Sequence, residues 1–258
     1  MSTIKEILNY MNELYPISNA HSFDQGKVGL QFGNPDASVT KIVLCLDGTE
    51  EVVDNAIKDG ANLIIAHHPF MFQPLVNLDY RTNFGRKLQK VMKNDLNIMA
   101  FHTNFDVGFD GMNDILAKKL ELKDIHYLTD EICQDSLMRV GSVEAMTLLE
   151  FCQHVKDKFS LDGLRVAGDL NKIIKTVAIV GGSGSSEFNN ALKVADVFVT
   201  GQVPHHLGLE AVESGFSLIE VTHAIEYFGL EVIKNKLKEK FNVEIIISSN
   251  NYDPFKTI

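Results

Sequence analysis

The sequence predicts an α/β protein of two three-layer α/β lobes packed together. Short apolar runs rich in β-branched residues alternate with amphipathic helical stretches, which is typical of parallel sheets with helical crossovers. The 258 residues are enough for one large domain or for two lobes with a shared core. A less regular middle stretch interrupts the alternation, so we expect an N-terminal lobe at 1–128 and a C-terminal lobe at 129–258.

Each element of the first half is predicted from a local pattern. Apolar residues at helical spacing from Ile4 to Leu14 indicate a helix. Short runs that are apolar at every position indicate buried strands. Gly60 follows a helical stretch, as is typical of a helix C-terminus. The predicted elements are a helix at 4–14, a strand at 41–46, a helix at 50–59, a strand at 63–66, a helix from 84 to about 93 and a strand at 97–101.

The alternation resumes in the second half, with helical periodicity between short apolar runs. The glycine–serine run at 181–186 is expected to begin a helix. The other predicted elements are a helix at 146–158, short strands near 164–167 and 175–180, a strand at 196–199, a helix from about 204 to 214, a strand at 218–221, a helix from about 224 to 240 and a strand at 243–247.

Composition excludes several classes of protein. A net charge of −10 disfavours nonspecific binding to nucleic acid, which needs a basic surface. No apolar run approaches the roughly 20 residues of a membrane span, and the first residues indicate an amphipathic helix and not a signal peptide. We therefore expect a cytoplasmic protein. Cys45, Cys133 and Cys152 are scattered, so we expect neither disulfides nor a thiolate zinc site.

Histidines and carboxylates follow the predicted strands. They are His67 and His68 after 63–66, His102 and Asp106 after 97–101, His205 and His206 after 196–199, and His223 and Glu226 after 218–221. Ligands of open α/β sheets bind at the carboxyl ends of the strands, and chance placement of surface histidines does not favour that edge. The sequence therefore predicts a metal site there.

The type of ligand limits the metal. Histidine and carboxylate ligands without thiolates suit zinc, manganese, iron, cobalt or nickel. The neighbours His67 and His68 cannot easily chelate one ion with good geometry, which favours two adjacent ions bridged by carboxylates. Asp106 and Glu226 can supply the bridges, and His223 and Glu226, three residues apart, can face the same way at a helix start.

Each of these residues also has a structural interpretation. A histidine pair behind a strand can be merely half-buried, and Asp106 can cap a turn. His223 and Glu226 can begin a helix, with the acid favoured by the helix dipole. The pair His205 and His206 can lie at a helix surface. The metal interpretation is preferred because the structural ones require several coincidences at one edge of the sheet.

Two glycine-rich stretches have no single interpretation. The run 181–186 can bind phosphate through backbone N–H groups at a helix start, but it lacks the Lys-Ser/Thr of a P-loop. A tight turn that keeps the site in shape explains it equally well. The glycines of 26–33 permit a close approach to a ligand or a loop, and Gln31 is a candidate lining residue, with a structural turn as the default.

Together these motifs resemble the dinuclear-metal family named after NGG-one-interacting factor three, whose members are also called type 2 homologs of GTP cyclohydrolase I. The matching segments, which span nearly the whole chain, are Gly-Leu-Gln-Phe-Gly (29–33), Leu-Asp (46–47), Ala-His-His-Pro-Phe (66–70), His-Thr-Asn-Phe-Asp (102–106), Gly-Gly-Ser-Gly-Ser (181–185), Asp-Val-Phe-Val-Thr-Gly (196–201) with His206, and Thr-His…Glu-Tyr-Phe-Gly (222–229). The resemblance implies a two-metal site between the lobes and a ring-shaped homohexamer of dimers. The inserted middle domain of longer members is not expected here.

The resemblance also implies roles for individual residues. The implied ligands of two divalent ions (zinc, iron, manganese or nickel) are His67, His68, Asp106, His223 and Glu226. His102 is implied in or beside the coordination shell. The family pattern His-x-x-x-Glu is one residue shorter here, as His-Ala-Ile-Glu, so we expect a shifted His223. The family's Thr-Gly-Asp is Thr-Gly-Gln at 200–202, which removes a charge.

Two functions follow from such a site. A pair of metal ions favours hydrolysis of a nucleotide or phosphoester, with His102 as the catalytic residue that moves a proton. The alternative is a non-enzymatic metal-handling or scaffold protein. An enzyme needs an open coordination position beside a small-molecule pocket, whereas a storage or scaffold protein has fully ligated ions.

Overall fold

A computed structural model describes residues 1–127, 137–250 and 253–256. It confirms a mixed α/β fold with two sheets. The chain divides into two compact units, the first made of Met1–Gly108 with Gly229–Tyr252 and the second of Phe109–Phe228 with Asp253–Ile258. The lobe boundary expected near residue 128, and Cys133, lie outside the described residues.

Helices and strands alternate through both units. Over the described ranges the helices are α1 (Ile4–Leu14), α2 (Glu50–Lys58), α3 (Asn83–Lys93), α4 (Thr103–Val107), α5 (Met112–Lys119), α6 (Leu148–Phe159), α7 (Phe188–Val194), α8 (His205–Glu213) and α9 (Phe228–Lys240). The strands of the same ranges are β1 (Gly29–Phe32), β2 (Lys41–Cys45), β3 (Leu63–Ala66), β4 (Asn97–Ala100), β5 (Lys123–Tyr127), β6 (Arg139–Thr147), β7 (Arg165–Ala167), β8 (Ile173–Val180), β9 (Val197–Thr200), β10 (Ser217–Glu220) and β11 (Glu244–Ile247).

Threonine begins helices throughout the chain. The side chains of Thr3, Thr49, Thr82, Thr147 and Thr222 each accept a hydrogen bond from a backbone N–H in the first turn that follows. Such a cap satisfies one of the N–H groups that a helix start leaves without a partner. These five starts are therefore favoured locally, by the sequence itself.

The first unit contains a five-stranded sheet in the order β1-β4-β3-β2-β11. Strands β4, β3, β2 and β11 are parallel, and β1 runs antiparallel at the edge. One face of the sheet packs on α2 and α3 through a core that includes Val43, Ile64, Ile98, Val52 and Val91. The parallel strands place the carboxyl ends of β2, β3 and β4 at the same edge.

The second unit contains a six-stranded sheet in the order β5-β6-β8-β9-β10-β7. Its centre, β8, β9 and β10, is parallel, and the other strands are antiparallel to their neighbours. A core of apolar side chains that includes Val140, Ala178, Phe198 and Phe216 covers one face. The carboxyl ends of β8, β9 and β10 again share an edge.

The structure adds elements that local patterns did not predict. Strand β1 lies where only a glycine-rich turn was expected, and α4, α5, β5 and β6 fill the stretch described as irregular. The predicted helix from about 224 to 240 begins with a 3₁₀ turn, His223–Tyr227, before α9. Across the residues that the structure describes, none of the helices combines the length and apolar character that a membrane span requires.

Candidate metal centre

The carboxyl edge of the first sheet brings three histidines together. His67 and His68 follow β3, and their backbone N–H groups donate to Cys45 O and Leu46 O at 2.9 Å each, which prolongs the pairing with β2. His102 follows β4 and precedes α4. One ring nitrogen of each histidine lies within 4.8 Å of one ring nitrogen of each of the other two.

Each of these imidazoles has its Nδ1 atom against an oxygen. The Nδ1 atom of His67 lies 2.9 Å from Phe101 O, that of His68 2.9 Å from Asp47 Oδ1, and that of His102 2.6 Å from Asp24 Oδ2. A carbonyl or an ionised carboxylate can only accept, so Nδ1 carries the proton in each ring. Nε2 is then the ring nitrogen that carries the lone pair, and metal-binding histidines usually show this arrangement, with the other ring nitrogen donating to an oxygen.

Asp106 adds a carboxylate to this set. It lies in α4, which begins directly after His102, and its side chain is buried. Asp106 Oδ1 lies 3.6 Å from His67 Nε2. A donor set of imidazole nitrogens and a carboxylate oxygen fits the borderline divalent ions, zinc, iron, manganese, cobalt and nickel.

The second unit places His223 beside Glu226. His223 Nε2 lies 3.1 Å from Glu226 Oε2, with the carboxylate buried and the imidazole 34% exposed. Both residues belong to the 3₁₀ turn, in which side chains three positions apart eclipse. The i, i+3 spacing of this motif therefore places the imidazole beside the carboxylate.

The glycine turn after β8 packs against this pair. A Cβ atom on Gly182, whose φ is +59°, would lie 2.4 Å from Glu226 Oε1 and 3.0 Å from His223 Nε2. The N–H groups of Gly181 and Gly184 donate to Asn113 Oδ1 and Thr200 Oγ1 at 2.7 and 2.9 Å. These two amides have internal partners, and the turn packs against Glu226.

The other candidate residues from the sequence are not part of this histidine and carboxylate set. His205 and His206 are exposed in the first turn of α8 and are absent from the ligand clusters of the described chain. Gln31 acts on the loop after the histidine pair: its Oε1 accepts from Phe70 N at 2.6 Å and its Nε2 donates to Met71 O at 3.2 Å. It supports the loop that follows Pro69.

Two carboxylates that hold histidines were not assigned a role from the sequence. Asp47 follows β2, and from the sequence it was named only as part of the segment Leu-Asp (46–47). Its position directly after a strand is the same feature by which the histidines were recognised. Asp24 lies in a short 3₁₀ turn, Ser22–Asp24, far from any predicted strand end. Burial raises the pKa of Asp24, but hydrogen bonds from His102 and Thr103 outweigh it and hold that pKa below the usual value.

Fold and site together define a class of protein: a two-sheet α/β chain whose histidine and carboxylate clusters can hold metal ions. Residues 2–254 match the family model described as Duf34/NIF3 (NGG1p interacting factor 3). The chain belongs to this family.

Relatives and solved structures extend over the full chain. A protein from Clostridium perfringens named GTP cyclohydrolase 1 type 2 homolog is 36% identical over 263 residues, covering 99% of each chain. A homolog of the same name from Clostridium acetobutylicum is 34% identical over 264 residues, covering 98% of each. The crystal structure of a Bacillus cereus protein related to NIF3 matches with a TM-score of 0.92 at 27% identity, covering 100% of this chain and 99% of that one. A hypothetical protein from Staphylococcus aureus matches at 0.90 and 33%, covering 99% of each.

Proposed function

We propose that this chain binds two divalent metal ions and hydrolyses a nucleotide or another phosphoester. The ligands in this proposal are His67, His68, Asp106, His223 and Glu226. His102 is the catalytic residue that moves a proton. The family membership supports the general character of the site, and the name of the relatives leaves the substrate open.

One observation carries the proposal. Three neighbouring imidazoles, those of His67, His68 and His102, all have Nδ1 against an oxygen acceptor, and all keep Nε2 as the second nitrogen. A structural histidine needs only one such bond to be satisfied, and three in the same orientation within 4.8 Å are not required for packing. The arrangement suits His67 and His68 as ligands through Nε2, with His102 beside them for proton transfer.

In the proposed hydrolysis, the metal ions and the protein side chains have different roles. Bound divalent ions would supply a water of lowered pKa and polarise a phosphoryl oxygen. His102 Nε2 would take a proton from the attacking water and return it to the leaving oxygen. The side chain of His102 is 16% exposed and that of His68 is 21% exposed, so this cluster is reachable from solvent. Access of this kind favours an enzyme over fully enclosed ions.

Assembly and location are part of the proposal. The resemblance of the motifs to the family favours a homohexameric ring of dimers in the cytoplasm, acting on a small molecule and not on nucleic acid or membrane. Light scattering on the purified protein should give a mass near six times the 28.8 kDa of the chain. A monomer at micromolar concentration would contradict the proposed hexamer but not the proposed metal site.

The decisive experiment is a screen of metal-loaded protein. Protein stripped with a chelator is reloaded separately with zinc, manganese, iron, cobalt or nickel and tested against nucleotides, cyclic nucleotides and phosphoesters. We expect turnover that requires metal and is lost in His68→Ala, with His206→Ala, an exposed histidine of α8, as the matched control that keeps it.

Equal turnover in the wild type and in His68→Ala would mean that a contaminant is responsible. Metal bound at full occupancy without turnover of any compound would favour the alternative, a metal-handling or scaffold protein.

A further inference from the structure

Asp24 is a buried carboxylate that holds His102 from a distant part of the chain. Its side chain is fully buried, in the loop between α1 and β1. Asp24 Oδ2 accepts hydrogen bonds from His102 Nδ1 at 2.6 Å, from Thr103 Oγ1 at 2.7 Å and from Thr103 N at 3.2 Å. One oxygen thus receives three donors from two consecutive residues.

The surrounding bonds decide where the protons lie. Thr103 Oγ1 accepts the N–H of His21 at 3.0 Å, so the hydroxyl hydrogen is left to point at Asp24. Toward Thr103 the carboxylate oxygen is therefore an acceptor. The same oxygen also accepts the backbone N–H of Thr103, and with two hydrogens already directed at it, it acts as an acceptor toward His102 as well. The proton of the neutral imidazole is consequently on Nδ1.

We propose that Asp24 is a positioning residue, which locks His102 in the form protonated on Nδ1 so that Nε2 is the proton acceptor of the hydrolytic step. This inference rests on the proposed function for the step itself. The fixed Nδ1–H form of His102 is a property of the protein without metal. Asp24 does not touch the substrate. It acts through His102, whose ring centroid lies 5.2 Å from that of His67 and 5.4 Å from that of His68.

The hydrogen bond from His102 Nδ1 to Asp24 matters because an imidazole without a partner at Nδ1 exchanges between two neutral tautomers. Only the Nδ1–H form has a lone pair on Nε2. When Nε2 takes a proton from water, His102 becomes a cation and the Asp24 carboxylate stabilises it. The proton then leaves from Nε2 to the departing oxygen, and His102 returns to its starting form.

Three variants separate positioning from a structural role. Asp24→Asn keeps an oxygen that can accept from His102 and Thr103. Asp24→Ala removes it. Thr103→Val is a matched control of similar shape, because it removes the hydroxyl bond to Asp24 but leaves the bond from His102.

The test is ¹⁵N NMR of the histidine rings in the metal-free full chain. We expect His102 in the single Nδ1–H form in the wild type, in Thr103→Val and in Asp24→Asn, and a mixture of tautomers in Asp24→Ala. An Nε2–H form in the wild type would overturn the inference whether or not any variant folds. A single Nδ1–H form retained in a folded Asp24→Ala would overturn it too.

A second readout addresses catalysis. Manganese-loaded protein is assayed with bis(p-nitrophenyl) phosphate, and Asp24→Ala should lose about 10–100-fold in kcat, as is usual when the partner of a histidine at a metal site is removed. Asp24→Asn should lose less than Asp24→Ala, and equal losses would overturn the positioning role. Absence of turnover in the wild type would count against the proposed function alone, because the tautomers are measured without metal.

Discussion

His223 Nε2 and Glu226 Oε2 lie 3.1 Å apart because a 3₁₀ turn brings residues three positions apart onto one face. The pairing keeps the histidine beside the carboxylate at the His-Ala-Ile-Glu spacing of this chain. Glu226 is the buried member of the pair.

Glu226→Gln removes the carboxylate charge with little change in shape. We expect the metal content to fall from two ions per chain to one or fewer, because a neutral amide is a weaker ligand than a carboxylate. Elemental analysis of the purified variant measures this. Glu231→Gln, an exposed acid of α9, is the matched control and should keep the wild-type content. Unchanged metal in Glu226→Gln would remove Glu226 from the ligands.

Gly182→Ala should disturb the surroundings of Glu226. The new methyl group would lie 2.4 Å from Glu226 Oε1. The backbone φ of +59° also disfavours alanine, at about 1–2 kcal/mol. Gly215→Ala is the control, since Gly215 has a φ of +66° but nothing within 4 Å of the added atom. Urea unfolding should show a larger loss of stability for Gly182→Ala, and only this variant should lose metal affinity. Equal losses in both variants would mean that backbone strain alone acts.

Asp47→Asn weakens the bond that orients His68. The Nδ1 atom of His68 lies 2.9 Å from Asp47 Oδ1, and loss of the carboxylate lowers the basicity of the ring. We expect metal affinity to fall about 10–100-fold, as measured by competition with a chromophoric chelator. Asp59→Asn, at the exposed end of α2, should leave the affinity unchanged. An unaltered affinity in Asp47→Asn would show that His68 needs no such support.

The pKa of Asp24 predicts a pH dependence of stability. This pKa is below the usual 3.8 in the folded chain because hydrogen bonds from His102 and Thr103 outweigh the effect of burial, which raises it. A depressed pKa stabilises the folded state above the unfolded pKa, and that stabilisation is lost as the pH falls through the folded pKa. The free energy of unfolding of the wild type, relative to Asp24→Asn, should therefore rise from strongly acidic pH to about pH 4 and stay level above it.

Urea unfolding of both metal-free proteins between about pH 2.5 and 6 measures this difference. A difference that does not change with pH would contradict the assigned ionisation of Asp24.

Local patterns were sufficient for the buried parallel strands. Every residue of Leu63–Ala66 is buried and apolar, so the run itself predicts a strand. Strand β6 was missed because it begins with a charged residue. Arg139 is fully buried there, with its Nε atom donating to Asp114 and its guanidinium 3.8 Å from the ring centroid of Tyr127. Its partners are distant in sequence, so no local pattern shows that this charge is compensated.

The histidines of the site could be predicted from local sequence, but the residues that orient them could not. Histidines behind strands can be recognised from the chain, because parallel strands place their carboxyl ends together. The carboxylates that orient these histidines cannot be recognised in this way. Asp24 and His102 are separated by 78 positions and meet only through the fold. Likewise, β11 pairs with β2 from the opposite end of the chain, and no local pattern specifies that pairing.

The metal content of protein purified without added metal tests the two-metal site itself. We expect close to two transition-metal ions per chain, held by histidine and carboxylate side chains. A protein that is metal-free as isolated, and stays so after incubation with zinc, manganese and iron, would contradict it.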